Sequence, residues 1–282
     1  MITCLGDILD REFMTIDVYD GLCKAKRIMD EKRLEYLVAM KNGNLAGVLT
    51  SRDICKSHPN RIVADAMSRG TVTASPEMPI WDAKYLFERH AINELLIVEQ
   101  GELIGVITDT KLYSELGKHI DQLTGLYKSD YIYYKGIKLL KNGNEISILF
   151  IDLDKFGQID KDFGHVLGDR ILKEISKVIE GNITADDHIC RFGGDEFVIL
   201  APCRLEKSVI FAEALLGAIS NHNSSIGLPI TASIGIAGGR RHNTRACDYN
   251  EMVSNLINLA SLASTKAKNE KRKFAVSTGF AE

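Results

Sequence analysis

The chain has 282 residues, 45% hydrophobic and 26% charged, with a net charge of −3. That length accommodates two ordinary domains, each with its own core. The slightly acidic balance excludes a general binder of nucleic acid or of anionic membrane and leaves room only for local basic patches. The six cysteines (Cys4, Cys23, Cys55, Cys190, Cys203, Cys247) are scattered without metal-ligand spacing and mostly lie in apolar stretches. That predicts buried, reduced thiols. The N-terminus lacks a signal peptide's basic start and apolar core, and no run approaches membrane-spanning length, so a cytoplasmic location is expected.

Residues 1 to about 118 contain an internal repeat. Asn42-Gly43-Asn44-Leu45-Ala46-Gly47-Val48-Leu49-Thr50 recurs, 58 residues on, as Gln100-Gly101-Glu102-Leu103-Ile104-Gly105-Val106-Ile107-Thr108. The same register carries Asp7 to Asp65, Ala25 to Ala83 and Leu37 to Leu95 without a gap. Each unit has an early Thr, an amphipathic helix (20–33 and 78–91), and two short strands around an Xaa-Gly turn (36–40 with 45–49, 94–98 with 103–107). This β-α-β-β-α pattern resembles the CBS (cystathionine-β-synthase-type) domain. The resemblance implies repeats at 1–60 and 61–118, packed sheet to sheet, with a cleft for an adenine nucleotide or another adenosyl ligand such as S-adenosylmethionine.

The ribose signature of that family, Thr-x-x-Asp, stands here as Thr50-Ser51-Arg52-Asp53. A carboxylate can accept from both ribose hydroxyls while the Thr hydroxyl meets the sugar or a phosphate. Repeat two reads Thr108-Asp109-Thr110-Lys111, so Thr108 is kept but Lys111 replaces the Asp, and one intact site is expected. Asp53 has a plainer alternative, capping a helix that starts at Ile54. These residues do not separate AMP, ATP, S-adenosylmethionine or a purely structural pair. The connector, residues 112–120, has helical spacing, with Leu112, Tyr113, Leu116 and Ile120 on one face and Gly117 within it.

Beyond it, Asp121-Gln122-Leu123-Thr124-Gly125-Leu126 opens a helix over about 127–141. The apolar run Ile146–Ile151 then delivers Asp152-Leu153-Asp154 at its end. Asp152 and Asp154, two apart, share a strand face, and such strand ends build metal sites. An amphipathic helix through Ile171, Leu172, Ile175, Val178 and Ile179 precedes Arg191-Phe192-Gly193-Gly194-Asp195-Glu196-Phe197, which reads as a hairpin with an acidic glycine turn. A helix near 205–221, a strand at 230–236 and a helix from Tyr249 to Asn269 follow.

This order of motifs over 121–276, with Gly164-His165 and Gly168-Asp169 between them, resembles the GGDEF diguanylate cyclases. It implies an α+β (α/β) chain: the CBS pair followed, over 119–282, by a ferredoxin-like βαββαβ domain of nucleotide-cyclase type. The implied chemistry condenses two GTP into cyclic di-GMP and pyrophosphate with Mg²⁺ or Mn²⁺, in a homodimer whose two half-sites face each other. By this resemblance Asp152, the Leu153 carbonyl, Asp195 and Glu196 hold the metal, and Asp195 takes the 3′-hydroxyl proton. Backbone groups of 154–157, including Phe156 and Gly157, and of Gly193 and Gly194 meet phosphates, as do Lys268 and Arg272. Asp160 and Asp169 meet the guanine edge. His165 is expected to be a structural hydrogen-bonding residue.

Three positions depart from the family pattern. Gly157 stands where a phosphate-binding Lys is usual. Asp160 replaces an Asn, so it can accept from guanine but cannot donate. Thr184-Ala185-Asp186-Asp187 lacks the Arg of the product-inhibition motif, so no tight product feedback is expected there. The alternative function is therefore a catalytically impaired domain that binds GTP or a partner.

Overall fold

The computed structural model describes residues 2–222, 224, 227–239 and 248–277. The chain divides between Gly117 and Lys118 into two units. The first contains α1 (Leu5–Ile8), β1 (Thr15–Asp17), α2 (Leu22–Lys32), β2 (Tyr36–Lys41), β3 (Asn44–Thr50) and α3 (Ser51–Lys56). The pattern then recurs as α4 (Val63–Ala66), β4 (Thr73–Ala74), α5 (Ile80–His90), β5 (Glu94–Glu99), β6 (Glu102–Thr108) and α6 (Asp109–Lys118). Two three-stranded sheets result, β1-β2-β3 and β4-β5-β6, each a parallel pair followed by a hairpin. Asn42 and Gly43 both have positive φ, as do Gln100 and Gly101, which is the turn that matches the twist of a two-residue hairpin.

Strand β2 is apolar on both faces because both are covered. Leu37 and Ala39 pack with Leu22, Ala25 and Met29 of α2. Val38, on the other face, joins Val48, Leu96 and Val106 in a cluster shared by the two sheets. The repeats also exchange their leading segments: Ser68 bridges Val48 of repeat one, and Asp10 bridges Val106 of repeat two. Glycine makes this possible. A Cβ on Gly47 would lie 2.5 Å from the Ser68 carbonyl, and one on Gly105 would lie 2.7 Å from the Asp10 carbonyl. The connector helix starts earlier than expected, at Asp109, runs unbroken through Gly117 and ends at Lys118. Tyr113 is exposed rather than part of the buried stripe of Leu112 and Leu116.

The second unit comprises α7 (Ser129–Lys141), β7 (Ile146–Leu153), α8 (Phe156–Phe163), α9 (His165–Glu180), β8 (His188–Gly193) and β9 (Glu196–Ala201). It continues with α10 (Leu205–Asn221), β10 (Ala232–Gly239), α11 (Tyr249–Asn269) and β11 (Phe274–Ser277). The sheet order is β11-β10-β7-β9-β8; without the parallel edge strand β11 this is the ferredoxin-like arrangement. Strand β7 lies at the centre. Its Leu149, Ile151 and Leu153 pack with Ile171 and Ile175 of α9 and Leu215 of α10. Its Ile148 and Phe150 pack with Ile132 of α7 and Leu256 of α11. A strand buried on both sides has no alternation to show, hence the continuous apolar run.

Some expectations need correction. The strand expected at 230–236 runs Ala232–Gly239, and the helix expected at 127 begins at Ser129. Helix α8 and strand β11 have no counterpart among the expected elements. Among the described cysteines only Cys190 is buried, whereas Cys23 and Cys55 are exposed, because they face outward from α2 and α3. Cys247 lies outside the described residues.

Candidate active site

The central strand β7 ends where the β8–β9 hairpin turns, so Asp152 pairs with Glu196 across the sheet. The turn itself is Gly194-Asp195, with Gly194 at φ +48, a conformation glycine adopts cheaply. A side-chain clamp fixes it. The Arg191 guanidinium donates to the Gly194 carbonyl at 2.7 and 2.9 Å and to the two oxygens of Asp121 at 3.0 and 3.2 Å. Asp121 also accepts from the backbone and hydroxyl of Thr124. Burial alone would raise the Asp121 carboxyl, but the Thr124 and Arg191 bonds outweigh it and hold it below the usual range. Arg191, Asp121 and Thr124 have no role legible in the sequence beyond the signal of a cation beside a glycine turn.

Asp152, Asp195 and Glu196 thus lie near one another at one end of the sheet, and among the described residues the ammonium of Lys268 opposes them. Lys268, from the last turns of α11, donates to Asp152 Oδ1 at 2.6 Å. Partial burial, with the charges of Asp152 and Asp160, pushes the Asp195 carboxyl up despite Lys268. Burial, Asp152 and Asp195 do the same to Glu196. Burial by itself would lower the Lys268 ammonium, but Asp152, Asp195 and Asp154 raise it. Among the described residues the cluster carries more negative charge than Lys268 answers.

That imbalance is the test for a hard divalent cation, and the donors suit one. They are carboxylate oxygens, plus the Leu153 carbonyl. The Leu153 N–H donates toward the Asp195 carbonyl, so that peptide faces β9 where the β7–β9 ladder stops. Among the described residues no group of three or more acidic, His or Cys side chains is arranged to hold a metal ion by itself, so substrate oxygens and water would have to complete any coordination. A site of this kind suits Mg²⁺ or Mn²⁺, which keep waters and substrate phosphates among their ligands.

The other residues expected at the site have the following places. Asp154 shares the face of Asp152, but its carboxylate accepts from Thr231 Oγ1 at 2.7 Å and Ser233 Oγ at 2.8 Å. Its N–H, expected to meet phosphate, donates to the Thr231 carbonyl at 2.8 Å. Only the N–H groups of the following residues, in the first turn of α8, lack intrahelical acceptors. Phe156 is a core side chain, and Gly157 is exposed with open space around it. Arg272 pairs with Glu270 at 3.2 Å and is not on the carboxylates. It lines, with Lys268, a cleft of about 600 Å³ that also includes Lys155, Thr231, Ser233, Lys271 and Lys273.

Of the residues expected at the guanine edge, Asp160 has Oδ2 3.1 Å from His165 Nδ1, while its Oδ1 is buried without a hydrogen bond. Asp169 is exposed on α9, which Gly164 caps. Asp187 folds back onto the N–H and hydroxyl of Thr184, both at 2.8 Å.

In the first unit a cleft of about 430 Å³ is lined by Thr50, Arg52 and Asp53 together with Glu35 and Glu94. Thr50 caps α3, which starts at Ser51 rather than Ile54, and Asp53 returns the bond to the Thr50 N–H and hydroxyl. Thr108 is not among the residues lining that cleft; it caps the Lys111 N–H. Lys111 itself forms an ion pair with Asp10.

A ferredoxin-like sheet that delivers carboxylates beside a glycine hairpin defines a domain of nucleotide-cyclase type. The family model for the diguanylate cyclase GGDEF domain matches residues 118–273, and the CBS-domain model matches 5–59 and 63–118. The chain belongs to the GGDEF diguanylate cyclase family and carries a tandem CBS pair ahead of that domain. Response regulator PleD of Caulobacter vibrioides is 35% identical over 127 residues, 42% of this chain and 28% of PleD. Diguanylate cyclase DgcS of Shewanella oneidensis is 29% identical over 142 residues, 48% of each chain. The chain thus spans less than half the length of these relatives. In fold it is similar to the crystal structure of Pseudomonas aeruginosa diguanylate cyclase SiaD in complex with its activator SiaC. The TM-score is 0.51 at 24% identity, over 70% of this chain and 69% of that one. Among the described residues no helix is long and apolar enough to cross a membrane.

Proposed function

We propose that this chain is a cytoplasmic, homodimeric diguanylate cyclase whose output is set by an adenosyl ligand at the CBS pair. The observation that carries the reading is the group Asp152, Asp195 and Glu196 at the sheet end, answered by Lys268. Each half-reaction forms a bond from a ribose 3′-oxygen to the α-phosphorus of the facing GTP and breaks that phosphorus's bond to the bridging oxygen, releasing pyrophosphate. Two such steps close the cyclic dinucleotide.

Asp195 would accept the hydroxyl proton; burial and the neighbouring Asp152 raise its carboxyl, which makes it a stronger base than an ordinary carboxylate. Lys268 offsets the charge that develops on the phosphate oxygens. Bound Mg²⁺ or Mn²⁺, held by Asp152, Glu196 and the Leu153 carbonyl, would supply Lewis-acid stabilisation of the same oxygens. The clamp from Asp121 through Arg191 to Gly194 positions the turn. The test is purified protein with GTP and Mg²⁺, read for pyrophosphate and cyclic di-GMP. Asp195→Ala is expected to cut turnover about a thousandfold with the fold intact by circular dichroism, and unchanged turnover would refute the assignment.

At the CBS pair, Thr50 and Asp53 are suited to a ribose. The carboxylates Glu35, Asp53 and Glu94 against the single Arg52 in the lining disfavour a polyphosphate, so an adenosyl ligand with little negative charge suits the cleft best. Calorimetry with adenosine, S-adenosylmethionine and ATP ranks them directly. The second reading, a GTP-binding domain without turnover, is favoured by Asp160, whose two oxygens offer guanine no donor. GTP binding without pyrophosphate release would establish it.

A further inference from the structure

Residue 155 is a place where the backbone and the side chain want different things. Lys155 has φ +56 and caps α8 from the left-handed region, where a residue with a Cβ is disfavoured and Gly or Asn is cheaper. Two residues later Gly157 occupies a helical position, which is unfavourable relative to a good helix former. Exchanging the two residue types would relieve both positions. The lysine at 155 is therefore held against the local preference of the chain, and such an outlier calls for a role of its side chain.

The surroundings supply one. Lys155 lines the cleft of about 600 Å³ with Lys268, Lys271, Arg272 and Lys273. Among the described residues Lys155, Lys271 and Lys273 form no ion pair, and the one carboxylate in the lining, Asp154, is engaged by two hydroxyls. Cations crowded in this way repel one another and attract a polyanion. In a chain of net charge −3 such a concentration is local. The cleft adjoins the carboxylate cluster, because Lys268 both lines it and bonds Asp152.

We infer that Lys155 is a phosphate-binding residue for the nucleotide and supplies the charge that Gly157 lacks. The inference rests on the GTP-binding part of the function proposed above and does not need turnover. A lysine at 157 would enter open space, since nothing lies within 4 Å of a Cβ there, so the charge can be moved back and the replacement tested.

The probes are GTP, inorganic pyrophosphate and guanosine, titrated calorimetrically into the full chain. Lys155→Asn suits the left-handed backbone and removes the charge. It should weaken GTP and pyrophosphate about tenfold, the loss of one charge-assisted contact, and leave guanosine unchanged. Lys155→Arg should stay within about twofold of the parent. Adding Gly157→Lys to Lys155→Asn should restore most of the loss, which a merely structural role for Lys155 would not allow. Pyrophosphate and GTP affinities unaltered in Lys155→Asn would overturn the inference. Because the readout is binding, a protein that binds GTP without turning it over would refute the cyclase reading and still let these variants decide. A parent chain that binds no GTP would overturn both.

Discussion

Asp160 carries the sharpest consequence of a single atom. One of its oxygens faces His165 and the other is buried beside Gly168 with nothing donating to it. An amide there would keep one acceptor and add a donor for the guanine ring. Asp160→Asn is therefore expected to lower the KM for GTP about fivefold, one recovered hydrogen bond, with a smaller effect on kcat. A KM that does not move would show that guanine is read by other groups.

Glu94 makes the corresponding statement in the first unit. Burial and the charges of Asp109, Asp53 and Glu35, partly relieved by Arg52, push its carboxyl from 4.5 to about 7. The folded state thus binds this proton more tightly than the unfolded chain. The associated stability is present below pH 4.5 and lost as pH rises through about 7. The thermal midpoint of the CBS unit should fall between pH 5 and pH 8, and Glu94→Gln should flatten that slope. A midpoint equally steep in Glu94→Gln would place the titration elsewhere.

At the scale of elements, the exchange of leading segments between the repeats depends on Gly47 and Gly105. Gly47→Ala drives a Cβ against the Ser68 carbonyl, backbone that cannot rotate away, and overpacking of this kind costs about 2 kcal/mol or more. Urea unfolding should show the loss in the CBS transition alone. The paired apolar strands, the Xaa-Gly turns and helices α10 and α11 were legible because periodicity and turn chemistry are local. What escaped was set from a distance. Helix α8 begins at a left-handed lysine and contains a glycine, both helix-breaking signs locally, yet Phe156 anchors it in the core. Strand β11 is four residues at a sheet edge, recruited by β10. Asp154 found its hydroxyl partners 77 and 79 residues away. The members of the carboxylate group could be named from motif order, but Lys268 on Asp152 bridges 116 residues, and its geometry came only with the fold.

For the whole molecule, the proposed chemistry imposes a requirement that no single chain can meet. Each half-site binds one GTP and activates one 3′-hydroxyl, so cyclisation needs two competent chains facing each other. A dimer with one Asp195→Ala chain can form one of the two bonds and stalls at a linear dinucleotide. Tenfold excess of Asp195→Ala protein, equilibrated with the parent chain, should leave about one parent chain in eleven paired with another by mass action. Cyclic di-GMP per parent chain should then fall about tenfold, with linear product accumulating. Output unchanged by the excess would mean that the chains do not share a catalytic assembly. The dimer requirement would fail in that case, while the assignment of the carboxylates within each chain would stand on its own test.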